Sequence, residues 1–331
     1  MKESKIPETN VNGPFKDDFV KWIESNGYSK YDFSSFVLGP QASYGGKESP
    51  NQSINKRPIV FIHGNSDGAL AEGVDEWAQG WSATIEHLHR RGYSAAELYA
   101  ITYGDRNLNN SLTRSMNCSI LLRLRHFVEA VLLYTGAEKI DIIAHSMGVT
   151  LARKVIQGTM ALGEGGDDSC HLGTSIRHRV HTLIGIAGAN YGLCLCADSA
   201  PELVRNSPAC NRETGFWAAQ SKCPRPPDQE EEKEQNECAG TTPALQTAQC
   251  NGSGQYAAVL QTLNTPDKGK DAHFVVSMWS RGDALLGPSN LVWGHHTSLI
   301  PHSDNSTVYA SHSHHSIKWM TLEDQAAFVG A

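Results

Sequence analysis

No stretch of this chain is apolar for long enough to cross a bilayer, since a spanning helix needs about 20 consecutive apolar residues and every run here is broken well before that. Basic runs are missing too. With 28 Lys and Arg against 35 Asp and Glu the net charge is −7, which argues against nucleic acid or an anionic membrane as the main partner. Nowhere do two cysteines stand as C-x-x-C, so a zinc ribbon or a thioredoxin-type centre has little support, and no metal is expected. No internal repeat is visible. The first residues, MKESKIPETN, have no apolar core, so no signal peptide is present as written.

What is present is a chain of 331 residues, 40% hydrophobic, which is enough for a real core. It reads as a single domain, 1–331. Its eight cysteines are an even number, and six of them fall from Cys194 to Cys250, in a segment otherwise rich in Pro, Asn, Gln and Glu. Disulfides explain that clustering better than a metal does, each stabilising by roughly 2–5 kcal/mol. Which cysteine pairs with which is not legible. The acidic run DQEEEKEQNE at 228–237 reads as a solvated loop. Five N-x-S/T sequons, at Asn51, Asn109, Asn117, Asn251 and Asn305, point towards secretion less strongly than the cysteines do.

Strand-like and helix-like segments alternate. DDFVKWIESNGY, WSATIEHLHRRGY, LLRLRHFVEAVLLYTG and MGVTLARKVIQG have apolar residues at helical spacing; RPIVFIHG, AAELYAITYG, KIDIIAHS, HTLIGIAG and AHFVVSMWS read as buried strands. Such alternation, with near-continuous apolar strands, predicts an α/β fold whose mostly parallel sheet is covered by helices on both faces.

Two pentapeptides compete for the role of a nucleophile elbow, G-x-S-x-G. GNSDG at Gly64–Gly68 matches it literally; AHSMG at Ala144–Gly148 has alanine first. An elbow needs a strand, a sharp turn and an immediate helix, with small residues two before and two after the serine. KIDII and VTLARKVI supply these around Ser146, whereas Ser66 is followed by a stretch broken at Gly73 and Gly80. Ser146 is therefore the candidate nucleophile. In this fold's chain order the acid comes next and the histidine last. Asp283 in RGDALLG follows a strand, with a plain turn residue beside Gly282 as the alternative; Asp271 and Asp304 are weaker. STVYASHSHHSIKW offers His312, His314 and His315, with His314 favoured and His315 second; His295 and His296 read as loop residues. The oxyanion would be held by the backbone N–H of Met147 and of Asn65, His63 shaping that loop. No cofactor is needed.

Taken together, FIHGNSD, GWSATIEHLHRRGY, AELYAITYG, RHFVEAVLLYTGAEKIDIIAHSMGVTLARKVI and VVSMWSRGDALLG…LVWGHHTSLIP resemble the class 2 secreted lipases, most closely the nematode lipase-related proteins. The likeness runs from about Gly13 to the end and includes the cysteines of CHLG, CLC and ACNRETGFW. A more distant resemblance is to an extracellular polyhydroxyalkanoate depolymerase, through FIHGN and AHSMG. The resemblance implies an α/β-hydrolase fold and a Ser146–Asp283–His314 triad acting on carboxylic esters, His314 being four residues before Lys318. Residues 189–270 are expected to form a disulfide-braced cap. The expected substrate is a lipid or other ester, met at a lipid–water interface outside the cell, with a polyester depolymerase, a short-chain carboxylesterase and a catalytically silent lipid-binding protein as rivals.

Overall fold

The longest apolar runs become the middle of one sheet. In the computed structural model, which describes residues 5–162, 169–198, 200–218, 256–265, 269–292 and 295–330, the strands run in chain order β1 (Ser43–Tyr44), β2 (Ile59–Ile62), β3 (Leu98–Ile101), β4 (Ile140–His145), β5 (Met160–Ala161), β6 (Cys170–His171), β7 (Val180–Ile186), β8 (Phe274–Ser280), β9 (Leu291–Val292), β10 (His295–His296) and β11 (Asn305–Tyr309). Seven form one sheet in the order β1-β3-β2-β4-β7-β8-β11; β5 with β6 and β9 with β10 form separate ladders. All pairs in the large sheet are parallel except β1 with β3. Every residue of β2, β3 and β4 is buried. That is why these strands read as near-continuous apolar runs rather than alternating ones, with Asp141 and His145 as the polar residues of β4.

The helices are α1 (Asp17–Ser25), α2 (Ser82–Arg90), α3 (Cys118–Thr135), α4 (Met147–Gln157), α5 (Glu202–Arg205), α6 (Ala258–Leu263), α7 (Ile317–Met320) and α8 (Leu322–Val329). They fall into two groups on the sheet. Helix α4 packs against α3, α6, β2 and β7, and α3 against α1; α2 packs against α7 and α8, and α8 against β7. Local chemistry sets the ends of α3: the Asn117 side chain accepts from Ile120 N–H at 3.1 Å, and Gly136 takes the left-handed conformation (φ 65°) that ends the helix. Among the described residues no helix is long and apolar enough to cross a membrane.

One sequence expectation changes here. AAELYAITYG was expected to be strand throughout, but Ala95–Glu97 is a 3₁₀ turn and the strand begins at Leu98. The reason is a capping box: Glu97 accepts from Ser94 N–H at 2.7 Å and also from Asn55 N–H at 2.7 Å, so its side chain serves backbone donors that a strand would have paired differently. The pairing of the cysteines, which the sequence left open, is given for two bridges. Cys118–Cys170 ties the start of α3 to β6, while Cys196–Cys210 lies within the segment. Cys223, Cys238, Cys250, Asn251, the acidic run and half of the expected cap lie outside the described residues.

Described residues near both ends of the expected cap meet one arginine of α4. Arg153, 1% exposed, donates to Asn190 Oδ1 at 2.9 Å on the outgoing side, and to Asn264 Oδ1, Leu263 O and Asp271 Oδ2 at 2.7–2.9 Å on the returning side. A guanidinium so placed exchanges its hydration for a full set of fixed acceptors.

Candidate active site

One residue separates β4 from α4, and it is Ser146. Its backbone sits at φ 53°, ψ −127°, a conformation that costs on the order of 1–3 kcal/mol for a residue with a side chain. The turn is over-determined by its neighbours. Ser146 N–H donates to Ile186 O at 2.8 Å. A Cβ on Gly148 would stand 2.4 Å from His63 O and 2.5 Å from Ile62 O, so that position needs glycine, while one on Gly64 would stand a tight 3.0 Å from Ser146 Cβ. Ala144, by contrast, is fully buried between Ile62 on one neighbouring strand and Gly185 on the other, so the fold accommodates its methyl group.

Around Ser146 the structure brings together the three residues singled out from the sequence. Ser146 Oγ lies 2.8 Å from His314 Nε2, and His314 Nδ1 lies 2.7 Å from Asp283 Oδ2. Asp283 is on the turn leaving β8. Its other oxygen accepts from Leu285 N–H at 2.9 Å and Leu286 N–H at 3.0 Å, which aims the carboxylate at the ring. Both side chains are nearly closed to solvent, at 1% for Asp283 and 7% for His314. This is a hydroxyl, an imidazole and a carboxylate in hydrogen-bonded line, an arrangement with which a proton can be taken from a serine hydroxyl.

The rivals stand elsewhere. Ser66 Oγ is engaged by Arg114 Nη1 at 2.7 Å and has Asn65 and Asn107 as its other partners, with no histidine among them. Asp271 is bound to Arg153, and Asp304 to Lys270 and to Val275 N–H. His312 lies against Tyr309, His295 stacks on Tyr191 and His296 faces Trp279. His315 packs beside His314 with ring centroids 5.2 Å apart, and its Nδ1 has no hydrogen-bond partner among the described residues.

The two amides expected to hold an oxyanion are placed by α4 and by the loop after β2. Among the described residues, neither Met147 N–H nor Asn65 N–H donates a turn, loop or cap bond. The Asn65 side chain is committed elsewhere, to Ser111 O and Arg114, so only its backbone remains for a substrate. Beneath that loop His63 stacks on Tyr103 at 4.0 Å and accepts from Tyr103 N–H at 3.1 Å. No three His, Cys, Asp or Glu side chains among the described residues are grouped to hold a metal ion.

Sequence reasoning passed over His145, whose Nε2–H donates to His314 O at 2.7 Å, and the buried ion pair of Asp67 with Lys318. Only the four-residue spacing from His314 to Lys318 signalled the second.

Three histidines beside the site are held neutral. Burial lowers His63 and His315 to about 4 and lowers His145 well below its ordinary value, with the positive charges of neighbours adding for His315 and His145. In the unfolded chain these rings take up protons near pH 6.5, so as pH falls from about 6.5 towards 4 the unfolded state binds protons that the folded state refuses. Asp141, raised to about 6 by burial, acts in the opposite sense over part of that window and offsets one ring. For these four groups the expectation is full stability above pH 6.5 and a loss of about 3 kcal/mol per pH unit near pH 5, to which the lowered rings of His87, His126, His181, His295, His296 and His312 add in the same direction. Urea midpoints measured from pH 7 to pH 4 check this; a flat profile would mean that these rings are not buried neutral.

Compared with known protein families, residues 56–327 match lipase (class 2). Among solved structures, the chain is similar to lipase B of Aspergillus fumigatus (10% identity over 90% of this chain and 57% of that one, TM-score 0.46). It is also similar to the mature form of Bacillus licheniformis lipase BlEst2 (13%, covering 87% and 96%, TM-score 0.47). A third likeness is to a truncated carbohydrate esterase from gut microbiota (13%, covering 99% and 97%, TM-score 0.44). The chain thus spans little more than half the length of the Aspergillus enzyme.

Proposed function

Because the chain belongs to the class 2 lipase family and has an α/β-hydrolase fold, we propose that it hydrolyses lipid esters through a covalent acyl-enzyme formed on Ser146. One observation carries this reading: the unbroken line from Ser146 Oγ through His314 to Asp283, at 2.8 and 2.7 Å. His314 Nε2 takes the hydroxyl proton as Oγ attacks the ester carbonyl, and Asp283 holds the ring with its proton on Nδ1 and stabilises the imidazolium. Charge developing on the carbonyl oxygen is met by the N–H groups of Met147 and Asn65. His314 then gives its proton to the departing alcohol, and water repeats the sequence on the acyl group. No metal or organic cofactor enters.

A lipid–water interface as the place of work is supported by where six of the twelve exposed large apolar side chains among the described residues lie. Leu108, Leu195, Leu203 and Leu285 come from segments that follow the carboxyl ends of β3, β7 and β8. Phe36 and Val37 join them, because β1 runs antiparallel to β3 and Ser35 Oγ reaches Thr102 O at the same end. Val37 is 93% exposed and Leu203 81%. Such residues around a reactive serine suit contact with aggregated ester rather than dissolved ester. The disulfides suit an extracellular setting.

The test is a series of p-nitrophenyl esters from acetate to palmitate, together with a short-chain triglyceride carried through its solubility limit. Long-chain preference and a rise in rate when emulsion forms are expected. Short-chain preference with no rise would replace the lipase reading by a soluble esterase, or by a polyester depolymerase if polyhydroxyalkanoate film is cleared. A wild-type protein inert to all of them would leave a lipid-binding role.

A further inference from the structure

GNSDG, the pentapeptide that matches the elbow pattern without being the elbow, has a use that its serine does not reveal. Asp67, two residues after Asn65, points inwards and meets Lys318, four residues after His314; both side chains are 2% exposed. Lys318 Nζ also donates to Gly80 O at 3.0 Å, and the free side of Asp67 accepts from the N–H groups of Gly68 and Gly80, each at 2.8 Å. We propose that this pair is a positioning device for the reaction: it fastens the loop carrying the Asn65 amide to the segment carrying His314, so that oxyanion donor and base are set by one another. The inference rests on the catalytic reading given above.

A second tie closes the ring. His145, on β4 beside the nucleophile, donates from Nε2 to the His314 carbonyl at 2.7 Å, and its Nδ1 would lie 3.0 Å from a Cβ on Gly64. Strand β4, the oxyanion loop and the histidine segment therefore meet around one point. Arg114 adds a third fastening, holding Asn65 Oδ1 at 2.8 Å and Ser66 Oγ at 2.7 Å from the outer side. Burial alone would raise the Asp67 carboxyl, but the charge of Lys318 and the hydrogen bonds outweigh it, so the group stays ionised with its pKa lowered.

Energetics favour a positioning role over simple fastening. A buried ion pair seldom stabilises a fold more than apolar residues of the same shape would, because desolvation offsets the attraction. What it does supply is a short, directional link. At a reacting centre such a link matters, since a displacement of about 1 Å reduces rate by up to roughly 100-fold.

The test is the double variant Asp67→Asn, Lys318→Met, which leaves no lone buried charge and keeps an amide oxygen for the Gly68 and Gly80 N–H groups. It is assayed for unfolding midpoint and for kcat and KM on a soluble ester. The expected result is a midpoint near wild type, an unchanged KM and a kcat lower by roughly 10- to 100-fold. An unchanged kcat in the folded variant would overturn the proposal and reduce the pair to a structural clamp. If the double variant does not fold, Lys318→Arg decides instead, because it keeps the charge paired while changing the reach: a several-fold fall in kcat at constant KM is expected, and a wild-type kcat overturns the proposal. Labelling of wild-type Ser146 by a fluorophosphonate separates the two layers. A labelled, active wild type with an unaffected variant sinks only this inference, whereas an unlabelled, inert wild type sinks the ester-hydrolase reading and this one with it.

Discussion

Ser146→Ala is expected to lower kcat on soluble esters by on the order of 10⁶ while leaving the unfolding midpoint close to wild type. The substitution removes the hydroxyl oxygen that, on the proposed mechanism, attacks the carbonyl and surrenders its proton to His314, 2.8 Å away. A residual rate above that of water should persist, because the Met147 and Asn65 amides still stabilise charge on a bound ester. The fold is expected to tolerate the change, since the side chain makes no cap bond to α4 and the backbone bond to Ile186 O does not involve it. Comparing active-site-titrated wild type with the variant measures the effect. Turnover near wild type would sink the assignment of Ser146 and return attention to Ser66, which would first have to be freed from Arg114.

Asp283→Asn should cost about 10⁴ in kcat with little change in KM. Size and burial are preserved, and the amide oxygen can keep the bonds to Leu285 and Leu286 N–H. The side facing His314 then becomes an NH₂ group, which donates to Nδ1 and forces the ring proton onto Nε2. A ring protonated there presents a donor to Ser146 Oγ and cannot accept its proton. The loss is one of tautomer rather than of geometry. Steady-state kinetics with a midpoint measurement check it, and a variant within a few-fold of wild type would mean that Asp283 is a turn residue after all.

Much of the architecture was legible because burial on both faces leaves a strong mark: IVFI, IDIIAH and HTLIGI could hardly be anything but strands inside a covered sheet. The elbow was legible for a related reason, since a strand joined to a helix through a single residue needs small neighbours, and Ala144 and Gly148 are small. What the sequence concealed was pairing at a distance. Nothing local in AAELY tells that Glu97 serves the backbone of Ser94, Asn55 and Lys56. Nothing in CHLG or NCS says that Cys170 meets Cys118 across 52 residues. The choice of His314 over its neighbour turned on a lysine four positions on, and the structure gives that spacing a physical sense: one turn of chain carries Lys318 inwards to Asp67, while His315 packs against His145.

The parallel pairing of β7, β8 and β11 also fixes when a ribosome-borne chain acquires its chemistry. Ser146 and the strand before it emerge first, and the ring that must take its proton follows 168 residues later. At translation rates of 5–20 residues per second that interval is on the order of ten seconds. During it β2, β3 and β4 can already assemble, yet the nascent protein holds a serine with no base and no edge strand to carry one. On the proposed function, ester cleavage would therefore wait until the final strand and helices have docked, and the order of the sequence itself would act as a timer on its onset.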